Sequence, residues 1–314
     1  MAQSFNTISG VGTKLARTSI SLLAAELVLG RLVHRDAEGD FGGEVGTIVN
    51  IKMPNTATEA VDIATKDAKG LTGNSATTEQ EINSKTVPLP IDSHFAHKVA
   101  ITAKEKSLDL ENFASQVVAP QVLQIGEKVE KKIAALMNKV IADQKDTGKA
   151  GLVFKPNLGK NAARKAIVEA STIMDENNVP AYGRVLVVSP RFYAELLNDE
   201  LFVKVNESGS TEALRRANVG NILGFDVYKS NFITGGAIAM TREAFALVVR
   251  APYAAEGGAK SGSQSYQGYA MRWTQDFDNQ KLRDLSILDV FSGAVDVDSD
   301  VRAVGIKLDA TTSG

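Results

Sequence analysis

One stretch, from Pro120 to Ile141, constrains this chain more than any other because it predicts a single long amphipathic helix. Large apolar residues recur there at three- and four-residue steps, which places them on one helical face. These residues are Val122, Ile125, Val129, Ile133, Leu136 and Val140. The charged residues of the stretch are predicted on the other side, and Glu127 and Lys131 have the spacing of a helical ion pair. They are Glu127, Lys128, Glu130, Lys131 and Lys132. At about 1.5 Å per residue the helix would be roughly 33 Å long, which is typical of a support for something flat packed against it.

Length and composition limit the remaining possibilities. The 314 residues are enough for roughly two domains of about 150 residues each, and a content of 44% hydrophobic and 23% charged residues is ordinary for a folded chain. A net charge of −2 does not favour general attraction to nucleic acid or to an anionic membrane. The absence of cysteine excludes disulfides, thiolate metal sites and cysteine nucleophiles. We expect no secretory signal, and Ile20–Val33 is too short and, with Glu26 and Arg31, too charged to span a bilayer. The spacing of Ile20, Leu23 and Leu27 predicts an amphipathic helix there instead.

Two strand patterns enclose a long polar segment before the helix. Val45–Met53 alternates between apolar and polar residues, and a similar pattern covers Val87–Ala103. Asn55–Thr86, between them, has no aromatic residue and too few large apolar residues to form its own core. A connection of that length is generally functional or disordered. The two strand patterns are therefore predicted as the legs of a long hairpin.

The second half of the chain predicts a mixed α/β lobe, Lys160–Pro252, inserted into a lobe made from the rest. Asn161–Glu176 has the pattern of a helix, and the continuous apolar run within Gly183–Pro190 is typical of a strand buried on both faces. Gly148–Leu158 is predicted as a connector and the Gly/Ser-rich Glu256–Gln267 as a mobile segment. Strands are predicted at three further places. These are Tyr269–Trp273, Leu285–Val297 and Val301–Leu308.

Motifs that could carry chemistry are weak, so we predict no catalytic, cofactor or metal site. Asp296, Asp298 and Asp300 lack the glycine and glutamate of a calcium loop and are assigned to the solvated face of a strand. His94 and His97 are too few for a zinc site. Trp273 with Arg272, and Arg215–Arg216, could contact nucleic acid, but such single clusters are more often ordinary surface charge.

Five stretches, in this order and spacing, carry a resemblance that covers nearly the whole chain. They are Glu44–Pro54, Val87–Met137, Arg184–Phe202, Ala217–Asn231 and Ala239–Val249. The sequence resembles the major capsid (coat) proteins of tailed double-stranded DNA bacteriophages, which have the Hong Kong 97 type fold. The most similar branch is the coat proteins of the podovirus-like Salmonella phages.

The resemblance implies an α+β fold with a defined order of parts. Residues 1–44 would be the N-terminal arm and helix, and residues 45–103 a strand, the extended loop (E-loop) and a returning strand. Residues 104–159 would hold the long spine helix of the peripheral domain, 160–252 the axial domain, and 253–314 the return to the peripheral domain. The implied function is structural and not enzymatic: pentamers and hexamers would form an icosahedral capsid enclosing the phage DNA.

The resemblance also implies partners and a location. The N-terminal segment has no room for a scaffolding region, so we expect a separate scaffolding protein, a portal, a possible decoration protein and non-specific contact with packaged DNA, but no cofactor and no membrane. The chain would reside in the virion capsid after assembly in the bacterial host cytoplasm. The E-loop charges predicted to contact a neighbouring subunit are Lys66, Lys69, Glu79 and Glu81. Two alternatives stay open: an encapsulin-like compartment around an enzyme cargo, and an α+β enzyme.

Overall fold

In this computed structural model the described residues are 27–35, 48–52, 66–67, 70–71, 86–102, 117–142, 152–154, 162–197, 221–253, 260–266 and 269–308. The helices among them are α1 (Ala119–Ala142), α2 (Ala162–Glu176), α3 (Pro190–Leu197) and α4 (Ser299–Arg302), with 3-10 turns at Leu29–Arg31 and Arg242–Ala244. The strands of the first half are β1 (Ile48–Lys52), β2 (Lys66–Asp67), β3 (Gly70–Leu71), β4 (Thr86–Pro90), β5 (Ser93–Thr102), β6 (Leu152–Phe154) and β7 (Val185–Val188). Those of the second half are β8 (Asn221–Ile222), β9 (Phe225–Lys229), β10 (Gly236–Met240), β11 (Phe245–Arg250), β12 (Lys260–Tyr266), β13 (Tyr269–Asp278), β14 (Arg283–Asp296) and β15 (Ala303–Leu308).

The long helix predicted from the sequence is present as α1, which has 24 residues. Pro120 lies in its first turn, where a missing N–H breaks no helical hydrogen bond. The apolar face is wider than predicted, because Met137 and Ile141 are also buried while Leu136 is partly buried. The charged face was predicted wrongly at one position: Glu130 is only 4% exposed.

A five-stranded sheet lies against α1, and β14 is its central strand. β5 pairs with β14 along one side, and β13 followed by β11 pairs along the other, all antiparallel. β12 pairs with the outer edge of β13. The main core forms where α1 covers this sheet. Its largest members from the sheet are Trp273, Tyr269, Phe245, Met271 and Leu288.

A six-stranded sheet has the order β6-β15-β10-β7-β9-β8, with β7 near its centre. β7 is buried along its whole length, as the apolar run predicts. Helix α2 covers this sheet with the predicted face of Ala163, Ile167, Ala170 and Met174. The sheet takes β6 and β15 from outside residues 160–252, whereas β11, which lies inside that range, belongs to the five-stranded sheet.

Four local predictions are corrected. The described end of Ile20–Val33 is a 3-10 turn at Leu29–Arg31 instead of an α-helix. Within the predicted connector, Leu152–Phe154 forms β6, which pairs in parallel with β15. Within the segment predicted to be mobile, Lys260–Tyr266 forms β12, because β13 offers it a partner over seven residues. Val301, predicted to start a strand, lies in α4.

Candidate functional site

The long hairpin has a fixed root. β1 and β4 pair antiparallel from Ile48 with Pro90 to Lys52 with Thr86, so the two ends of the segment between them are neighbours. Val49 and Ile51 of β1 are buried, whereas Ile48 is 57% exposed. This alternation matches the sequence pattern, with one face of β1 packed and the other exposed. We call β1 and β4 together the hairpin root.

The hairpin root packs on the face of the five-stranded sheet opposite α1. Its apolar residues and those of the sheet form a separate small core of Val49, Ile51, Leu89, Ile91, Ala246, Val248 and Phe291. Gly293 of β14 makes the approach possible. A Cβ there would lie 2.5 Å from the carbonyl oxygen of Pro90 and 2.7 Å from Leu89 Cδ2. No side chain larger than hydrogen fits, so the sequence places glycine where β4 crosses β14.

A lysine on α1 ties the helix to the turn after the hairpin root. Lys132 Nζ donates to Ser93 Oγ at 2.6 Å and to the carbonyl oxygen of Ser292 at 3.0 Å, and it pairs with the Asp92 carboxylate. The hydrogen bond from Lys132 holds the pKa of Asp92 below its ordinary value. Three elements (α1, the β4–β5 turn and β14) therefore meet at a single ammonium group.

A buried amide near the start of α1 ties the helix to the middle of the sheet. Gln121 Nε2 donates to the carbonyl oxygens of His97 and Ser286, each at 2.9 Å. Ser286 Oγ donates to Gln121 Oε1 at 2.9 Å and accepts from Trp273 Nε1 at 3.0 Å. Every polar atom of the Gln121 side chain has a partner, which is what burial of an amide requires.

The candidate nucleic-acid pair, Arg272 and Trp273, is engaged inside the subunit. Trp273 is 1% exposed, so its ring cannot stack on a base. Arg272 donates to both oxygens of the Asp289 carboxylate, at 3.0 Å and 2.5 Å. His94 Nε2 lies 2.9 Å from Asp289 Oδ2, which gives this histidine a structural partner. Arg215 and Arg216 lie outside the described residues.

Residues 27–35, which we call the strap, run between α1 and the five-stranded sheet. Glu130 Oε2 and Oε1 accept the backbone N–H groups of Leu29 at 3.0 Å and Gly30 at 3.2 Å. Burial raises the pKa of Glu130, against the opposing effect of these hydrogen bonds. At the other end, His34 exchanges backbone hydrogen bonds with Phe245 and Leu247 of β11.

The sequence missed Glu130 because its charge suggested the wet face of α1. A signal was nevertheless present: Gly126 and Ala134, four residues to either side, are on the same side of the helix and are small. Gly126 and Ala134 leave room for another backbone to approach the helix there. A carboxylate between two small residues on a long helix is thus a candidate contact for a backbone.

The acidic run near the C-terminus caps a helix. Asp296 accepts the backbone N–H of Ser299 at 2.9 Å, and Asp298 pairs with Arg302 at 3.1 Å. The assignment of this run to the solvated face of a strand is therefore correct for Asp296, the exposed last residue of β14, and wrong for Asp298 and Asp300, which lie beyond the strand. No group of three potential metal ligands occurs in the described part of the chain.

The predicted inter-subunit residues lie almost entirely beyond the described ranges. Lys69, Glu79 and Glu81 are outside them, and only the backbone of Lys66 is described, in β2. Their contacts therefore stay a prediction. None of the helices in the described residues is long and apolar enough to cross a membrane.

Solved structures with the same fold come from viral shells. The capsid of Ralstonia phage GP4 is 13% identical, with a TM-score of 0.54, 90% of this chain covered and 87% of that chain. The capsid structure of the Cyanophage P-SCSP1u is 13% identical, with a TM-score of 0.56 and 84% of each chain covered. A structure from Mycobacterium phage Che8 is 19% identical, with a TM-score of 0.60, 91% of this chain covered and 92% of that chain. The fold is therefore the α+β fold of tailed-phage capsid subunits, the Hong Kong 97 type.

A family comparison identifies the chain itself. The family model described as "Phage capsid protein" matches residues 86–299, from β4 to the start of α4, which include the whole five-stranded sheet and the six-stranded sheet except β15. The chain belongs to this family, and its role is that of a structural, shell-forming subunit and not of an enzyme. A search of curated protein sequences finds no match.

Proposed function

We propose that this chain is the major capsid protein of a tailed double-stranded DNA phage. Its copies form pentamers and hexamers that close into an icosahedral shell around the genome, assembled in the cytoplasm of the bacterial host. The observation that carries this proposal is the match of the capsid family model to α1, the five-stranded sheet, the six-stranded sheet except β15, and the returning leg of the hairpin root. Rotationally related contacts between identical subunits close into rings, which explains how copies of a single chain can form pentamers and hexamers.

The hairpin root supports a specific role for the polar segment. β1 and β4 are clamped to the sheet, whereas residues 53–85 between them hold too few apolar residues to bury by themselves. We assign this segment to the E-loop, which reaches a neighbouring subunit that supplies the missing burial. Lys66, Lys69, Glu79 and Glu81 then contact that neighbour, each surface pair contributing roughly 0–1 kcal/mol.

The other parts of the chain take the roles expected for this fold. Residues 1–44 form the N-terminal arm and helix, 104–159 contain the spine helix, 160–252 form most of the axial domain, and 253–314 return to the peripheral domain. A separate scaffolding protein, a portal and possibly a decoration protein act with the chain, and packaged DNA contacts its inner face without sequence preference. The order of the five sequence stretches supports a place in the podovirus-like Salmonella branch.

Electron microscopy of the purified chain, expressed with and without a candidate scaffolding protein, tests the proposal. Closed shells or rings of five and six subunits are the expected result. A uniform monomer under both conditions would contradict it. Nucleic acid inside particles recovered from infected cells supports a capsid, whereas an enzyme cargo in place of DNA would show the encapsulin-like alternative.

A deletion and a charge exchange test the E-loop assignment. Removing Thr56–Lys85 should abolish shells while the subunit stays folded, as judged by a buried Trp273. Reversing Lys66 and Lys69 to glutamate should weaken assembly, and adding Glu79→Lys and Glu81→Lys should restore it if these residues pair between subunits. Normal shells from the deletion would refute the E-loop assignment without affecting the capsid assignment.

A further inference from the structure

The strap is anchored differently at its two ends. Toward the C-terminus, His34 N donates to the carbonyl oxygen of Phe245 at 2.9 Å, and Leu247 N donates to that of His34 at 3.0 Å. The Arg242 side chain also donates to the carbonyl oxygen of Val33 at 3.2 Å. This end is therefore held by backbone pairing with the sheet, which does not depend on pH.

The N-terminal end of the strap is held by a carboxylate. The 3-10 turn at Leu29–Arg31 leaves its first N–H groups without carbonyl partners, as every helical turn does. Glu130 supplies one oxygen to Leu29 and the other to Gly30. Gly30 fits tightly, because a Cβ there would lie 2.9 Å from the Tyr269 hydroxyl. The backbone N–H of Val28 also favours the ionised carboxylate, so Glu130 faces the first N–H groups of the turn.

We propose that Glu130 is a positioning residue, a latch that holds Leu29 and Gly30, near the N-terminal end of the strap, on α1. The latch is a property of the folded subunit and does not depend on the proposed shell. Leu27 and Leu29 are themselves buried in the main core, so the carboxylate acts at this end of the strap together with apolar packing.

Proton uptake tightens this latch. Burial raises the pKa of Glu130 in the docked state, whereas a released strap would expose the carboxyl and return its pKa to the ordinary range. The docked state therefore binds the proton more strongly, so docking strengthens as the pH falls through the raised pKa and is weakest above it. A protonated carboxyl keeps an oxygen that can accept an N–H, so the contact survives.

The surroundings of Glu130 contain few competing charges. Arg31 on the strap favours the ionised form, but its effect is the smallest of those acting on the carboxyl. On α1, Glu127 is paired with Lys131 at 2.7 Å. The five-stranded sheet contributes the Tyr269 hydroxyl near Gly30, and the loop after β9 contributes the apolar Phe232. A cavity of about 230 Å³ lined by Leu123, Gln124, Gly126, Glu127, Glu130 and Phe232 gives water a path to the carboxyl.

Amide hydrogen exchange on the full-length chain tests the latch. Protection of Leu29 and Gly30 is measured at about pH 5 and about pH 7.5, corrected for the intrinsic exchange rates, with Ala237–Ala239 of the central strand β10 as an internal reference. In the wild-type chain the two amides should be more protected at the lower pH. Glu130→Gln should abolish that pH dependence and keep the protection of one of the two amides, because the single amide oxygen accepts one N–H and does not ionise.

Two further variants separate the latch from a general effect. Glu130→Ala should raise exchange at Leu29 and Gly30 by roughly tenfold or more, the effect of losing hydrogen bonds to a charged group, and leave β10 unchanged. Glu127→Gln is the same substitution three positions earlier on α1, and it should behave as the wild type. The same pH dependence in the wild type and Glu130→Gln, or unchanged exchange in Glu130→Ala, would overturn the proposal.

Discussion

Replacing Gly293 by alanine tests whether the close approach of β4 to β14 fixes the hairpin root. The new methyl would lie 2.5 Å from the carbonyl oxygen of Pro90, 2.7 Å from Leu89 Cδ2 and 3.2 Å from the Cα of Ile91. Leu89 can adjust its side chain, but two of the three obstacles are backbone atoms. The Pro90 backbone is also paired with Ile48, so it cannot turn away without moving β1. The whole root must therefore shift by roughly 1 Å to reach an ordinary van der Waals distance.

The free-energy cost of Gly293→Ala follows from comparing two ways in which the structure could accommodate the new methyl group. Forcing an extra methyl into a packed core costs about 1–3 kcal/mol, and more when backbone must move. Detaching the root instead would expose Val49, Ile51, Leu89 and Ile91, at about 1.5–3 kcal/mol for each side chain. The strained root is the less costly response. We therefore expect Gly293→Ala to lower the free energy of unfolding by about 3 kcal/mol.

Urea unfolding followed by the fluorescence of Trp273, the only tryptophan, measures this effect. The amides of Val49 and Ile51 should also exchange faster, since the strain falls on the root. Ser292→Ala is the matched control: it changes the neighbouring residue of β14 and removes a buried hydroxyl that has no hydrogen-bond partner. That control should change the free energy of unfolding by less than about 1 kcal/mol. Equal midpoints for the two variants would refute the reasoning.

Three further predictions concern the polar contacts of α1. Gln121→Ala leaves two buried carbonyl oxygens and the Ser286 hydroxyl short of a partner, and should cost about 2–3 kcal/mol in urea unfolding monitored through Trp273; a loss under about 0.5 kcal/mol would argue against the network. Because Lys132 lowers the pKa of Asp92, that pair stabilises the fold above the ordinary carboxyl pKa and loses its effect as the pH falls through the lowered value. Asp92 is 62% exposed, so Asp92→Asn should change the free energy of unfolding near neutral pH by less than about 0.5 kcal/mol. Lys132→Met should cost about 1–2 kcal/mol, because it also removes the contacts to Ser93 and Ser292. Equal losses for the two variants would show that the exposed pair matters more than those contacts. Asn138 accepts from the backbone N–H of Thr234 and donates to the carbonyl oxygen of Phe232, so Asn138→Ala should speed exchange at Thr234 by roughly tenfold, and an unchanged rate would contradict that assignment.

Much of the fold could be predicted because burial imposes a period on the sequence. α1 and α2 show apolar residues at helical spacing, and both form helices that bury those residues, apart from small differences at the edges. The apolar run at Val185–Val188 is a strand with neighbours on both sides. The hairpin legs alternate in sequence and in burial. In each case one face of the element packs against a large apolar surface, which requires apolar residues on that face.

The errors arise where the partner, and not the segment itself, decides the structure. Lys260–Tyr266 has no apolar alternation because it lies at the edge of the sheet, and pairing with β13 makes it a strand. Leu152–Phe154 is too short to show any period. Glu130 and Gly293 are explained by backbone that is about 100 and 200 residues away in sequence, Gly30 and Pro90. The sequence pattern around Glu130 or Gly293 does not indicate contacts with residues so far away in the chain.

β11 contacts both the strap and the hairpin root. Its odd residues, among them Phe245 and Leu247, face the core under α1, and its backbone pairs with the strap at His34. Its even residues, Ala246 and Val248, face the hairpin root on the opposite side of the sheet. The starting points of the N-terminal segment and of the hairpin therefore contact opposite faces of one six-residue strand. Because a packed strand cannot shift on one face without moving on the other, a displacement of the root must change the β11 anchor of the strap.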